Sequence, residues 1–240
     1  MYFLIGCSGY SYREWKEKFY PKGLPAKDWF TFYATHFSML ELNNTFYNFP
    51  KLKTLQTWYG KAPANFTFVV KAPRTITHYK KLKDCAELLN KFYDVCKEGL
   101  QEKLGCLIFQ MPPSYHFSEE NLEKILNAVN KNFTNVFELR HASWWNDTVY
   151  NAFRANGIIF CSVSFPGLSD DVIVTAETLY YRFHGIPDLY FSTYSEKELK
   201  KIADKIKKEN QLKTVYCAFN NTGNLGAIDN AKWIRTYLDQ

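Results

Sequence analysis

Short runs of β-branched and aromatic residues recur along the chain, separated by stretches whose apolar residues return every three or four positions. The runs are Tyr2 to Cys7, Met39 to Leu42, Phe66 to Lys71, Gly105 to Gln110, Val136 to Arg140, Ile158 to Ser162, Leu179 to His184 and Thr214 to Asn220, which makes eight predicted strands. Between them Trp29, Phe32, Tyr33 and His36 share one helical face, as do Leu122, Ile125, Leu126 and Val129, and later Leu199, Ile202 and Ile206. Ser195 with Glu198 three residues on is a capping box that sets the start of the penultimate helix, and the last helix carries Ile228, Ala231, Trp233, Ile234 and Leu238. Strands alternating with helices call for a parallel sheet. Eight units without a Gly-x-Gly-x-x-Gly after the first strand favour closure into an α/β fold of the (β/α)8 TIM type over an open doubly wound sheet. Phe49-Pro50 and Met111-Pro112-Pro113 punctuate loops just past strand ends, and no linker divides the chain, so one domain over 1–240 is expected.

Composition narrows the setting. With 46% hydrophobic and 22% charged residues the chain can bury a large core, and no apolar run approaches the roughly 20 residues of a membrane helix, so no membrane partner is expected. Met1 to Gly6 is apolar at once, without a basic leader region, and reads as the first strand. Six dispersed cysteines without a Cys-x-x-Cys pair read as reduced core residues of a cytoplasmic protein. The net charge of +6 permits an anionic partner but is mild for a nucleic-acid binder, and the lysines of 197 to 208 alternate with Glu196, Glu198 and Asp204 as on a solvated helix face.

Candidate chemistry comes from strand alternation, which turns residues two apart to the same side. Apolar Phe137 and Leu139 facing the helices would put Glu138 and Arg140 inside the barrel; likewise Arg182 and His184, and Glu41 and Asn43. The other strands finish in Ser8, Lys71, Gln110, Ser162 and Asn220, so a polar group is expected to close all eight. That is the end where barrels of this type carry their active sites. Lys71, Arg140 and Arg182 against Glu41 and Glu138 leave a cationic surplus suited to an anionic ligand. The segment from Asn220 and Asn221 through Gly223 to Gly226, following the last strand and opening the last helix, adds a candidate phosphate loop. A competing reading is an ion-pair network of Glu41, Glu138, Arg140 and Arg182 that only ties the strands together.

Several segments together resemble the domain of unknown function 72 family, also called YecE-like. They are Gly6 to Tyr12 with Trp15 and Phe19-Tyr20-Pro21, Glu41 to Tyr47 with Pro50, Phe68 to Lys71 with Thr77-His78, Gln110 to Pro113, Glu138 to His141 with Ser143-Trp144, Tyr181 to Gly185, and Phe219 to Asn221. The resemblance covers nearly the whole chain in order and implies a TIM-type barrel of unassigned activity. The family pattern usually has Thr where this chain has Cys7 and Trp where it has Tyr10, which argues against a thiol nucleophile at Cys7.

The strand ends thus supply a full set of parts for acid-base or hydrolytic chemistry on an anionic, phosphorylated substrate. Glu41 is the preferred base, Glu138 orients Arg140, His184 or Lys71 is the acid, and Arg140 with Arg182 is the anion clamp. Asn43, Gln110, Asn220, Asn221, Gly223 and Ser8 join the binding set. Three alternatives stay open. One is a metal-dependent phosphoesterase or endonuclease-like barrel with Glu41, Glu138, His141 and His184 as ligands, not favoured because few aspartates lie at the strand ends and two arginines compete for the cavity. Another is a glycosidase using Glu41 and Glu138, and the third a non-catalytic binder of a phosphorylated metabolite or nucleic acid. Reaction, cofactor and oligomeric state are not encoded legibly.

Overall fold

Parallel pairing links each strand to the next and the last back to the first, which closes the barrel in the order β1 to β8. In this computed structural model, which describes residues 1–239, the strands are β1 Tyr2–Ser8, β2 Met39–Leu42, β3 Thr67–Lys71, β4 Leu104–Met111, β5 Asn135–Leu139, β6 Ile159–Ser164, β7 Thr178–Phe183 and β8 Thr214–Phe219. Gln240, last residue of the expected domain, lies outside the described residues. Each strand falls within two residues of its predicted bounds.

The barrel separates two apolar clusters. Inside sit Leu4, Met39, Val69, Ile108, Val136 and their neighbours, floored by Tyr180 and Tyr216 stacked at 5.5 Å. Outside, the alternate residues of the same strands, Phe68, Phe109, Phe137, Phe160 and Phe183 among them, pack under the helices. Each such side chain, withdrawn from water, contributes about 1.5–3 kcal/mol. Between β1 and β2 the Tyr33 hydroxyl is wedged, accepting from the Cys7 amide at 2.7 Å and donating to the Met39 carbonyl at 2.9 Å. Only glycine fits beside it: a Cβ on Gly6 would stand 2.0 Å from the Met39 oxygen.

The helices are α1 Trp29–Ala34, α2 Asn44–Tyr47, α3 Leu52–Lys61, α4 Ala86–Leu100, α5 Glu119–Ala128, α6 Asp147–Asn156, α7 Glu196–Lys207 and α8 Gly226–Leu238. The predicted capping box opens α7, with the Ser195 hydroxyl accepting from the Glu198 amide and the Glu198 carboxylate from the Ser195 amide. Ser118 and Asn146 cap α5 and α6 with one bond each, accepting from the Asn121 and Val149 amides, and α6 stops at Gly157, where φ is +65°. His36 lies beyond α1, and Val129 is the residue that terminates α5. The longest helix, α4, was not read from the sequence although Leu89, Phe92, Tyr93, Cys96 and Leu100 bury one regular face.

The sixth unit departs from the expected alternation, because no helix lies between β6 and β7. Residues 165–177 hold a Pro166-Gly167 turn and the β-branched run Val172 to Thr175, which has no helical period. Side-chain bonds dock this segment on β6: Thr175 Oγ1 accepts from the Phe160 amide at 2.9 Å, and Ser162 Oγ from the Ile173 amide at 2.8 Å. Ser162 therefore faces outward. On β6 it is Ile159, Cys161 and Val163 that enter the barrel, so polar residues close seven strands rather than eight. All six cysteines are free and buried. No helix among the described residues is long and apolar enough to cross a membrane.

Candidate active site

At the C-terminal ends of the strands the inward alternation brings charges from β2, β5 and β7 into contact. Arg182, fully buried, lies between two fully buried carboxylates. Its Nη2 stands 2.6 Å from Glu41 Oε1 and its Nε 3.1 Å from Oε2, while Nη1 donates to Glu138 Oε2. Tyr180 donates to Glu41 Oε2 at 2.7 Å, and Arg140 Nε to Glu138 Oε1 at 2.6 Å. One guanidinium thus spans the barrel and satisfies both acids.

This lattice sets the protonation states. Burial alone would raise both carboxyls, but Arg182 and Lys71, with the Tyr180 hydrogen bond, bring Glu41 below its ordinary value. Arg140 and then Arg182 hold Glu138 well below the carboxylate range. Both are therefore ionised and engaged, which makes Glu41 a poor proton acceptor and leaves Arg182 little capacity for an outside anion. The sequence suggests base and clamp roles for Glu41 and Arg182, whereas cross-barrel pairing engages them with each other.

His184 is fully buried and neutral. Burial, reinforced by Arg182, lowers it to about 4 against the pull of Glu138. Asn220 Nδ2 lies 3.1 Å from its Nδ1. Nε2 stands 3.1 Å from Glu138 Oε1. A buried ring of this kind positions Glu138 more readily than it protonates a ligand.

The groups with unused capacity lie at the rim. Arg140 bonds only through Nε; its two Nη nitrogens make no hydrogen bond among the described residues, and its plane lies 4.9 Å from the Phe165 ring centre. Lys71 ends β3 with Nζ 4.3 Å from the centre of the Phe46 ring. Burial above all, then Arg182, lowers its pKa to about 7, against the opposing pull of Glu138 and Glu41. His78, on a π-helical turn after β3, touches the same Phe46 ring edge-on at 4.9 Å. It too is neutral, lowered to about 4 by burial and then by Lys71 and Arg140. Gln110 Nε2 is 3.4 Å from its Nε2. A cleft of about 230 Å³, walled by Tyr10, Tyr12, Asn43 and Trp58, reaches Glu41 from the β1 and β2 side. A larger surface cleft of about 1120 Å³, beside α4 and α5, contains none of the strand-end groups.

The remaining candidates divide. Ser8 Oγ is 3.5 Å from Arg182 Nη2, and Asn43 donates to the Ser8 carbonyl at 3.3 Å with its own Oδ1 buried and unpartnered. Asn221 and Gly223 have structural work instead. Asn221 Nδ2 is 3.0 Å from both the Ser192 carbonyl and Asn230 Oδ1, and Gly223 gives its amide to the Tyr190 carbonyl at 2.8 Å. A Cβ on Gly223 would meet the Phe191 ring at 2.5 Å, so the glycine admits a neighbouring loop rather than a phosphate. The donors considered for a metal are not gathered. His141 turns to Ser143 and stacks on His116 at 3.8 Å, Arg182 fills the space between Glu41 and Glu138, and no group of three His, Cys, Asp or Glu suited to a metal forms among the described residues. Trp144 is fully buried on Tyr115, so its face is closed to a sugar ring.

His78, Tyr180, Phe46 and Phe165 were missed as site residues. Tyr180 was accessible to the alternation rule, being two residues before Arg182. The others follow their strands and had no periodic signal.

A closed parallel barrel with a buried carboxylate and guanidinium lattice at its C-terminal mouth places the molecule in the class of TIM-type (β/α)8 barrel proteins. More narrowly, the family model described as "Protein of unknown function DUF72" matches residues 4–240, and the chain belongs to that family. It is 25% identical to UPF0759 protein YunF of Bacillus subtilis (strain 168), over 98% of this chain and 94% of that protein. To UPF0759 protein YecE of Escherichia coli (strain K12) it is 29% identical over 47% of this chain and 42% of that protein. Among solved structures, a DUF72 family protein from Thermotoga maritima MSB8 superposes with a TM-score of 0.89 at 30% identity, covering 100% of both chains. Another from Enterococcus faecalis V583, at 20% identity, shares the fold with a TM-score of 0.85 over 99% of this chain and 96% of that one.

Proposed function

We propose that the protein is a barrel enzyme using acid-base chemistry on a small anionic substrate, carboxylated or phosphorylated, held at the C-terminal mouth. The observation that carries this reading is the pair of uncommitted cations left after Arg182 is neutralised: the free Nη end of Arg140 and the unpaired amine of Lys71. An anion bidentate on Arg140 would gain charge-assisted hydrogen bonds in a partly water-excluded site. Lys71, with a pKa of about 7, exchanges a proton near neutrality and takes the acid-base role. Glu138 orients Arg140, His184 steadies Glu138, and Glu41 with Arg182 forms the rigid floor. A hydrolytic outcome and a phosphorylated substrate are the finer forms of this proposal.

Calorimetric titration with inorganic phosphate and with acetate tests it. Wild type should bind at least one of them, and Arg140→Gln should weaken that binding on the order of ten-fold or more, the worth of a charged hydrogen bond. Equal affinity in the two proteins, or no binding to either anion, would refute the anion site. A nucleic-acid partner would instead show affinity falling steeply with salt and growing with strand length.

A further inference from the structure

We propose that Lys71 is a nucleophilic amine that forms a Schiff base with a small carbonyl compound carrying a carboxylate or a phosphate. The inference rests on the anion-site reading in one respect, since the anionic group is what brings the carbonyl to this end of the barrel.

Two lysines are buried among the described residues, and the contrast between them is informative. Lys103, 7% exposed, donates to the carbonyls of Tyr59 at 2.8 Å and Ala62 at 2.7 Å, so its ammonium is a satisfied structural cation. Lys71, 8% exposed, makes no hydrogen bond or ion pair through Nζ among the described residues and rests on the Phe46 ring. An ammonium largely withdrawn from water without a protein acceptor is unfavourable, and the guanidiniums of Arg140, just past β5, and Arg182, on β7, add repulsion. The neutral amine, which keeps a lone pair, suits such a place. Desolvation beside other cations is a recognised way of activating a lysine as a nucleophile.

The amine is also held in place. Thr45 Oγ1 donates to the Lys71 carbonyl at 2.7 Å, and Lys71 is in register with Ile108 of β4, so Nζ projects from a fixed strand end. A proton acceptor stands close by. His78 contacts the same Phe46 ring, and Thr77 Oγ1 lies 2.9 Å from its Nδ1. Gln110 Nε2 lies 3.4 Å from the other ring nitrogen, Nε2.

The chemistry balances without an oxidant. The Lys71 lone pair attacks the carbonyl carbon, a C–N bond forms, and the C=O π pair moves to oxygen. The nitrogen gives up a proton and the oxygen takes one up, with neutral His78 on the shared Phe46 ring placed to relay the transfer. Loss of water then leaves C=N, so one amine and one carbonyl yield one imine and one water. Once protonated, the imine withdraws electrons from the adjacent carbon and eases proton removal there, which gives the acid-base mouth a reaction to serve.

Borohydride trapping on the intact protein decides the matter. The protein is incubated at neutral pH with pyruvate or, in parallel, dihydroxyacetone phosphate, reduced, and analysed by intact mass and peptide mapping. The expected result is one reduced adduct per chain on the Lys71 peptide, absent without borohydride and absent in Lys71→Arg, whose fold is checked by circular dichroism. Reaction with pyruvate alone assigns a carboxylate substrate, and with dihydroxyacetone phosphate alone a phosphorylated one. No Lys71 adduct with either compound, or equal labelling of surface lysines that persists in Lys71→Arg, overturns the proposal. Trapping that fails while phosphate binding stays sensitive to Arg140→Gln removes the Schiff base and leaves the anion site. Trapping that succeeds without any such sensitivity does the reverse.

Discussion

Replacing Lys71 by methionine should change how stability depends on pH, and the size of the change follows from the site. In the folded protein the amine titrates at about 7, whereas an unfolded lysine titrates near its ordinary 10.5. Between those values the unfolded chain holds a proton that the native state has released, so stability rises with pH and is lost again as pH falls towards 7. The full displacement corresponds to about 5 kcal/mol. Integrated only from pH 7 to 8.5, it gives wild type about 1.5 kcal/mol relative to Lys71→Met. The charged and titratable groups acting on Lys71 are Glu41 on β2, Glu138 on β5, Arg140 just past it, Arg182 on β7 and His78 after β3. The two carboxyls and His78 are held below this window and Arg182 above it. The buried thiols are common to both proteins and cancel on subtraction. Urea unfolding followed by tryptophan fluorescence at half-unit pH intervals measures the difference. A stability gap between the two proteins that stays constant across the window would show that Lys71 is an ordinary charged lysine, and the argument built on it would fail.

Arg182→Met should lower stability by about 3–5 kcal/mol or abolish folding, because it strands two buried carboxylates, and Glu41→Gln in the same chain should recover part of the loss. A loss under about 1 kcal/mol in urea would show that the lattice is dispensable. Acidification should destabilise the protein below pH 6.5. His184 is depressed to about 4, so its unfolded imidazole takes up a proton that the native one refuses, worth about 1 kcal/mol by pH 5.5. Glu41 and Glu138 act in the same direction lower down, and His184→Asn should remove one proton from the measured acid slope. Gly6→Ala should cost about 3 kcal/mol or more in urea unfolding, since its methyl would overlap the Met39 carbonyl between β1 and β2. A loss below about 1 kcal/mol would mean that these strands can spread.

What was legible in the sequence follows from local geometry. A period of two marked eight strands, and in β2, β5 and β7 it also marked the side facing inward, because the outward residues Leu42, Leu139 and Phe183 left no other arrangement for the charges. Where both faces were plausible the reading failed. On β6, Ile159, Cys161 and Val163 alternate with Phe160, Ser162 and Ser164, and either set could line a barrel. Ser162 proved to face the segment that replaces a helix. The Asn220 to Gly226 turn had a phosphate-loop composition, but its glycines accommodate Phe191 and Thr193.

By itself, then, the sequence determined the strands, the capped helices and the presence of carboxylates and cations at one end, since all of these depend on residues a few positions apart. Only tertiary structure decided who pairs with whom. Arg182 and Glu41 lie 141 residues apart and meet because closure carries β2 and β7 across one narrow interior. Their pairing consumed the two residues that looked most like a base and a clamp. It left Lys71, in the sequence one of two candidate acids, as the amine without a hydrogen-bond or ion-pair partner among the described residues. Charge count is additive along a chain, but reactivity depends on which charges remain uncompensated after folding, and that is a property of through-space distances.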